Sequence, residues 1–293
     1  MALELGMPAA REIGPVTRTD FVRFAGAGGD FNPVHHDDEY ARKLGFPSVF
    51  AMGMFPAGLV GAFVSDWAGP RDVAQLDIRF VAQTWPDEVL VVAAENVVSE
   101  AAGARADISV TAGGEPRLTG SVAFGSARLD RPAAPTEPQD PRLRQIRATR
   151  LEPVELPVER GKILEYSRAV RAGELHLDPG KARQAGFADL PAPPTFTVCV
   201  AHWSGGDATA VPRAVGLDLA HVLHAEQRYT FHRPVVAGQA LRGEREVSAV
   251  QTKQSRSGSQ MTFVTVTTRF VDSAGDPVVD EDMVMLERAP QAR

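Results

Sequence analysis

The chain has 293 residues, 44% of them hydrophobic, a single cysteine (Cys199) and a formal net charge of −6. That composition supplies a packed core and excludes a disordered chain, a disulfide scaffold or thiolate metal centre, and the chain-wide basic field that binds nucleic acid. The length exceeds one ordinary domain and suggests two.

Residues 1–6 show no basic start followed by an apolar run, so no secretory signal is read there and a reducing, cytoplasmic location is expected. A segment opened by Phe21-Val22-Arg23-Phe24 leads to Gly29-Asp30-Phe31-Asn32-Pro33-Val34-His35. Here a carboxylate stands five residues ahead of an imidazole. Pro33 between them forbids a continuous helix and biases Asn32 toward extended backbone. Such a bent loop can turn Asp30 and His35 toward one point. An Asp–His pair converging on one water suits reversible addition of water to a double bond, in which water gives up a proton and a carbon gains or loses one. An Asp near a His is also a common turn or cap arrangement. The adjacent His36 is expected on the opposite face of an extended stretch.

A short helical pattern over residues 39–44 ends at Gly45, and Ala51-Met52-Gly53-Met54 then opens an apolar stretch to Trp67. Its glycines, Pro56 and Asp66 mark a buried helix, not a membrane span. Residues 76–81 alternate as a strand before the turn Trp85-Pro86-Asp87, and two strands flank Gly114-Glu115-Pro116 between residues 107 and 124. Pro132, Pro135, Pro138 and Pro141 recur every third residue, the polyproline II period, so residues 128–156 read as a stiff, solvated linker.

Beyond the linker the pattern repeats. Ile163-Leu164-Glu165-Tyr166 mirrors the opening segment, and Ala182-Arg183-Gln184-Ala185-Gly186-Phe187 mirrors Ala41-Arg42-Lys43-Leu44-Gly45-Phe46. The strand at residues 227–232 matches that at 76–81, and two strands flank Gly275-Asp276-Pro277. The Asp-x-Asn-Pro-x-His loop does not repeat. Glu174 and His176 stand two apart with no Asn-Pro turn, so no second site is expected. Pro191, Pro193 and Pro194 replace the Met-Gly-Met stretch ahead of a helical segment at residues 195–203. His221 and His224 have metal-ligand spacing but no third ligand, so a structural role is favoured. Lys253, Arg256 and Arg233 are basic candidates for a phosphate-bearing carrier, and solvation is the commoner fate of such residues. An apolar helix must be buried, and a curved sheet is its simplest cover.

The run at residues 21–67, with its Gly-Asp-x-Asn-Pro-x-His loop, its Gly45-Phe46 turn and Met52-Gly53-Met54, resembles the MaoC-like family of (R)-specific enoyl-thioester hydratases and 3-hydroxyacyl-thioester dehydratases. The second half resembles the N-terminal-type dehydratase domain of that family. It does so through His224-Ala225-Glu226-Gln227, Phe231-His232-Arg233-Pro234, Arg256-Ser257-Gly258 and Phe263-Val264-Thr265-Val266. The resemblance implies an α+β double hot-dog: two hot-dog folds in one chain, each a curved antiparallel sheet on a long central helix, joined edge to edge. Residues 1–127 would form the catalytic domain and residues 157–293 a non-catalytic, acyl-binding half. It implies catalytic Asp30, His35 and Gly53, the last as a backbone oxyanion donor, with Asn32, Met52 and Met54 at the substrate. Many family members carry His at the position of Met52, and a backbone donor is expected to survive that change. No metal and no cofactor are implied. The implied partner is an acyl thioester of CoA or of acyl carrier protein, with a homodimer of double hot-dogs left open. Two alternatives stand: a hydratase of a small branched or dicarboxylic enoyl-CoA such as mesaconyl-CoA, which a buried arginine near the acyl end would favour, and a non-catalytic acyl-thioester-binding partner subunit.

Overall fold

In a computed structural model of the chain, ten strands among the described residues form one antiparallel sheet. The described residues are 5–288 apart from 102, 132–134, 136, 206–208, 220 and 255–257. Residues 1–4, Pro132, Arg256 and Ser257 of the sequence reading lie outside them. The first half runs β1 (Arg11–Ile13), α1 (Arg18–Gly28), α2 (Asp38–Lys43), α3 (Met54–Ala68), β2 (Val73–Phe80), β3 (Leu90–Glu100), β4 (Gly103–Ala112) and β5 (Glu115–Gly125). After α4 (Pro141–Arg147) come β6 (Val154–Pro157), α5 (Arg160–Ala169), α6 (Pro179–Gln184), α7 (Ala210–Ala214), β7 (Val222–Phe231), β8 (Ala240–Gln254), β9 (Gln260–Val271) and β10 (Pro277–Arg288).

The sheet order β1-β3-β4-β5-β2-β7-β10-β9-β8-β6 is the same arrangement read inward from either edge. The halves join where β2 pairs with β7, Leu76 opposite Tyr229. This is the expected double hot-dog. Every residue of α3 from Met54 to Ser65 is buried, because an all-apolar helix has no face to offer water. In β4, Ala104, Ala106, Ile108, Val110 and Ala112 are buried in alternation, as strand geometry requires of a sheet with one covered face. Each large apolar side chain so removed from water contributes about 1.5–3 kcal/mol.

One expectation needs correction. The second half has no long central helix among the described residues; its counterpart is a 3-10 segment, Phe196–His202. Pro193 and Pro194 withhold N–H groups and fix φ immediately ahead of it, and β-branched Thr197, Val198 and Val200 add stiffness that α-helix disfavours. Seven residues of 3-10 helix reach ~14 Å, against ~22 Å for the fifteen of α3.

The described parts of the stretch after β5 are not a solvated linker either. Arg131 donates to both Asp77 oxygens, to Thr230 Oγ1 (2.8 Å) and to Tyr229 O (2.7 Å), pinning the connector across the β2–β7 seam. Further on, α4 buries Leu143 and Ile146 against Val247 and Val264 in a second hydrophobic cluster. β6 opens at Val154, inside the stretch read as linker. The sequence reading also passed over β3, whose alternation is broken by an irregularity between Glu95 and Val98.

Candidate functional site

Helix α1 opens on a capping box: the Thr17 side chain accepts from Asp20 N–H, and Asp20 Oδ2 accepts from Thr17 N–H at 2.8 Å. Reciprocal capping satisfies two otherwise orphaned donors. The helix ends at Gly29, whose φ of 86° is left-handed and suits glycine. The chain then turns twice on its own side chains. Asp30 Oδ1 accepts from Asn32 N–H (3.1 Å), and Asn32 Oδ1 accepts from Val34 N–H (3.2 Å). Asn32 thus caps the 3-10 turn Pro33–His35, which aims His35 back at Asp30.

The His35 ring is held in one state. Its Nδ1 lies 2.8 Å from Phe50 O, and a carbonyl can only accept, so Nδ1 carries the proton and Nε2 a lone pair. Nε2 faces Asp30 Oδ2 at 3.6 Å, with the side chains 10% and 26% exposed respectively. Burial pushes the imidazole below its ordinary range, against the opposing pull of Asp30 and the bond to Phe50. Neutral His35 and the Asp30 carboxyl therefore face each other with an Nε2 lone pair and an oxygen acceptor, across a gap too wide for a direct hydrogen bond. A donor with two O–H bonds, water, satisfies both. Phe50 packs edge-on to His35 at 5.3 Å and to Trp85 at 5.6 Å, walling the pair.

Gly53 is exposed and immediately precedes α3, with no side-chain cap. The first N–H groups of a helix lack intrahelical partners and sit at its positive end. A Cβ at position 53 would meet the Phe80 ring of β2 at 3.3 Å. Met52 and Met54, implied at the substrate, are 2% and 8% exposed and belong to the core around α3. Their side chains pack into that core and are not an open wall. Asn32 acts within the loop, as described.

The sequence reading missed what the second half adds. Ala27 O, at the end of α1, accepts from Cys199 Sγ (3.2 Å) and His202 Nε2 (3.1 Å). A Cβ at Gly29 would meet Ala201 at 3.0 Å and the His202 ring at 3.2 Å. The 3-10 segment of one half thus seats the loop of the other. Only tertiary structure brings residues 27 and 202 together, so no local signal could have found this.

The second half's own loop is sealed. His176 Nδ1–H donates to Pro191 O at 2.8 Å, and Nε2 accepts from Ser65 Oγ of α3 at 2.9 Å, with the residue fully buried. Arg171, not an acid, stands five residues ahead of it and pairs with Asp20 at 3.3 Å. Glu174 is exposed and pairs with Lys181. Gly53 lies three residues past Phe50, and three past Pro191 lies Pro194, which has no N–H to offer.

The remaining candidates have ordinary partners. His36 is exposed and bonds Phe31 O at 3.3 Å. His221 bonds Asp218, and His224 bonds Gln227. Arg233 pairs with Asp272, and Lys253 lies over Phe263. Among the described residues no helix is long and apolar enough to cross a membrane.

Residues 5–115 match the MaoC like domain family, and residues 146–281 match the FAS1-like, dehydratase domain region family. A UPF0336 protein from Clavibacter michiganensis subsp. michiganensis (strain NCPPB 382) is 39% identical over 136 residues, 46% of this chain and 87% of that protein. Another, from Saccharopolyspora erythraea, is 35% identical over 132 residues, 45% of this chain and 81% of that one. Among solved structures, a MaoC domain protein dehydratase from Chloroflexus aurantiacus J-10-fl superposes with a TM-score of 0.65 at 14% identity, covering 98% of this chain and 96% of that one. A Mycobacterium tuberculosis protein with a double hotdog fold gives 0.61 at 12% identity, covering 97% of each. At such identities these structures speak for the fold alone.

Proposed function

The chain belongs to the MaoC-like dehydratase family, a MaoC-like domain followed by a FAS1-like dehydratase region with UPF0336 proteins among its relatives, and on that footing we propose that it reversibly hydrates trans-2-enoyl thioesters. The reading is carried by one observation: neutral His35 and Asp30 face each other at 3.6 Å with the imidazole tautomer fixed by Phe50 O.

A water donating to Asp30 Oδ2 and His35 Nε2 has its oxygen lone pairs turned outward. As that oxygen bonds to the β-carbon, the pair takes up its proton, and the proton returned to the α-carbon completes the addition. Dehydration is the reverse. Acid–base assistance of this kind contributes roughly 10²–10⁴-fold. The negative charge that develops on the thioester oxygen meets the N–H of Gly53, and one such donor is worth about 3–4 kcal/mol in the transition state. Asn32 positions the loop. The second half, with its histidine sealed and Pro194 in place of the glycine, completes the sheet and borders the acyl path. The substrate is an acyl thioester of CoA or a carrier protein, and the family resemblance points to the (R)-3-hydroxyacyl product.

The test is loss of the enoyl absorbance of crotonyl-CoA or trans-2-decenoyl-CoA on adding the purified protein. Turnover by the wild type, abolished in Asp30→Asn and His35→Ala with the fold intact, supports the reading; near-normal turnover in either variant removes it.

A further inference from the structure

The two halves brace the loop after their seam strand in the same way, residues 81–88 after β2 and residues 232–239 after β7. In the first half Val81 N–H and Ala82 N–H donate to Arg117 O at 3.0 and 3.2 Å, Ala51 N–H to Thr84 O at 2.9 Å, and Val16 N–H to Glu88 O at 2.8 Å. In the second, His232 N–H and Arg233 N–H donate to Val278 O at 2.9 and 3.4 Å, Ala192 N–H to Val235 O at 2.8 Å, and Val158 N–H to Gln239 O at 2.9 Å. A side-chain oxygen closes each turn: Glu88 Oε2 accepts from Trp85 N–H at 3.0 Å, and Gln239 Oε1 from Val236 N–H at 2.8 Å. Glu88 thus stands where the second half has Gln239, and Arg117 where it has Val278.

In the first half those two positions form a fork. Arg117 Nε donates to Glu88 Oε2 at 3.1 Å and Nη2 to Oε1 at 2.6 Å, with the side chains 15% and 17% exposed. Most surface ion pairs contribute little; the bidentate arginine–carboxylate pair is the exception, because it admits one geometry. The fold itself does not require it, since the same backbone bonds close the second loop around an amide and a valine. The ion pair of that loop, Arg233 with Asp272, ties its start to the turn between β9 and β10 and does not reach Gln239. What differs is what each loop lies against. The first runs beside residues 50–53: the Trp85 ring is 5.6 Å from that of Phe50, and a Cβ at Gly53 would meet the Phe80 ring at 3.3 Å. Phe50 in turn holds His35 twice, by its carbonyl at 2.8 Å and by its ring at 5.3 Å. In the second half Val236 pairs with Pro191, whose carbonyl holds the sealed His176.

We propose that Arg117 and Glu88 are positioning residues of the hydration site. Their fork fixes Trp85 and the loop, and the loop keeps Phe50 O on the Nδ1–H of His35 and the Gly53 N–H in its place. This role rests on the thioester reading above. Where the hold on Phe50 loosens, the imidazole proton is free to move from Nδ1 to Nε2, and a protonated Nε2 cannot accept from the water. A misplacement of about 1 Å is enough to cost on the order of 10²-fold in rate. The half that has no acid–imidazole pair has no such geometry to keep, and it carries Gln239 and Val278 instead.

The experiment copies the second half into the first. Glu88→Gln combined with Arg117→Val should fold, as the second loop does, and should lower kcat on crotonyl-CoA about tenfold or more at unchanged KM. Glu88→Gln alone, the milder change should the double variant fail to fold, should lose about as much, because the two side chains act as one unit. Arg117→Lys keeps the charge without the fork and should fall between. Histidine nitrogen NMR spectra at neutral pH read the cause without turnover. The wild type should show His35 in the Nδ1–H form, assigned by its absence from His35→Ala. The double variant should show it shifted toward the Nε2–H form, with His176 unchanged. A kcat within about twofold of wild type, a loss carried by KM alone, or an unchanged His35 tautomer overturns the proposal. If the protein hydrates nothing and the double variant still shifts the His35 tautomer, the lyase reading falls and the positioning role stands; normal turnover in the double variant does the reverse.

Discussion

In both halves a 3-10 turn closes on a histidine whose Nδ1–H is fixed on a backbone carbonyl at 2.8 Å, Phe50 O for His35 and Pro191 O for His176. What faces the other nitrogen separates them. Nε2 of His35 looks across 3.6 Å at a carboxylate that water can reach. That of His176 is stopped by the Ser65 hydroxyl at 2.9 Å in a fully buried site. The following segments diverge in the same sense: Gly53 opens a long buried helix, and Pro194 stands just ahead of a short 3-10 segment capped by Thr195. The comparison teaches that a histidine's chemistry is decided by what stands opposite its unprotonated nitrogen, not by the loop that carries it. It also shows that the halves are not independent, since Cys199 and His202 hold the loop that carries Asp30.

Paired substitutions put this contrast to the strongest test. His35→Ala should lower kcat by roughly 10²–10⁴-fold with little change in Tm. His176→Ala should leave kcat intact and lower stability by about 1–3 kcal/mol, because Ser65 and Pro191 O lose their buried partner; enoyl-CoA kinetics beside thermal melts read both. Equal kinetic losses would erase the distinction between the halves. The next largest effect is expected at Gly53. Gly53→Pro copies Pro194 and removes the N–H, and the backbone φ of −54° already fits proline. A kcat loss on the order of 10²–10³-fold is expected, against a few-fold for Gly53→Ala, which keeps the N–H and only crowds Phe80.

The pH dependence has a defined sign. Burial depresses both His35 and His176. The catalytic acid limb should therefore lie below the ordinary imidazole value of 6.5, with turnover steady from neutral pH down to that point. Below 6.5 the unfolded chain takes up protons that the folded chain refuses, so stability falls with pH until the folded histidines titrate. Melts against pH should show this loss, smaller in His176→Ala. A milder effect is expected of His202→Ala: loss of about 1 kcal/mol of loop anchoring should lower kcat about fivefold at unchanged KM, and His202→Gln, which keeps a donor, should recover most of it. Glu174→Gln should change neither rate nor Tm measurably, since its exposed pair with Lys181 is worth at most about 1 kcal/mol.

Much of the fold was legible because it is written in local pattern. The 2-residue period of the strands, the unbroken apolar run of α3 and the Pro33 bend each follow from a few neighbouring residues. The strand β3 escaped because its alternation breaks near Asn96. The second half's central segment was placed within one residue at each end, but the long central helix expected there is a 3-10 segment, since apolar residues after prolines suit either. The connector misled by composition: its prolines suggest a solvated rod, while Arg131, Leu143 and Ile146 tie it to the sheet. At the site, Asp30 and His35 were singled out by the Asp-x-Asn-Pro-x-His loop, and Gly53 by the separate Met52-Gly53-Met54 stretch. The burial of Met52 and Met54 could not be read there, because the face a side chain takes at the start of a helix depends on what packs there.

By itself the sequence determined that one half carries an acid five residues ahead of an imidazole across an Asn-Pro bend and the other does not, because spacing and proline act within a few residues. Only the tertiary structure decided that Nε2 of one histidine is free and that of the other is plugged by Ser65, that the loop of one half rests on His202 of the other, and that Arg117 closes on Glu88. Those relations join residues far apart in the chain, and packing and strand register, not local propensity, bring them within reach.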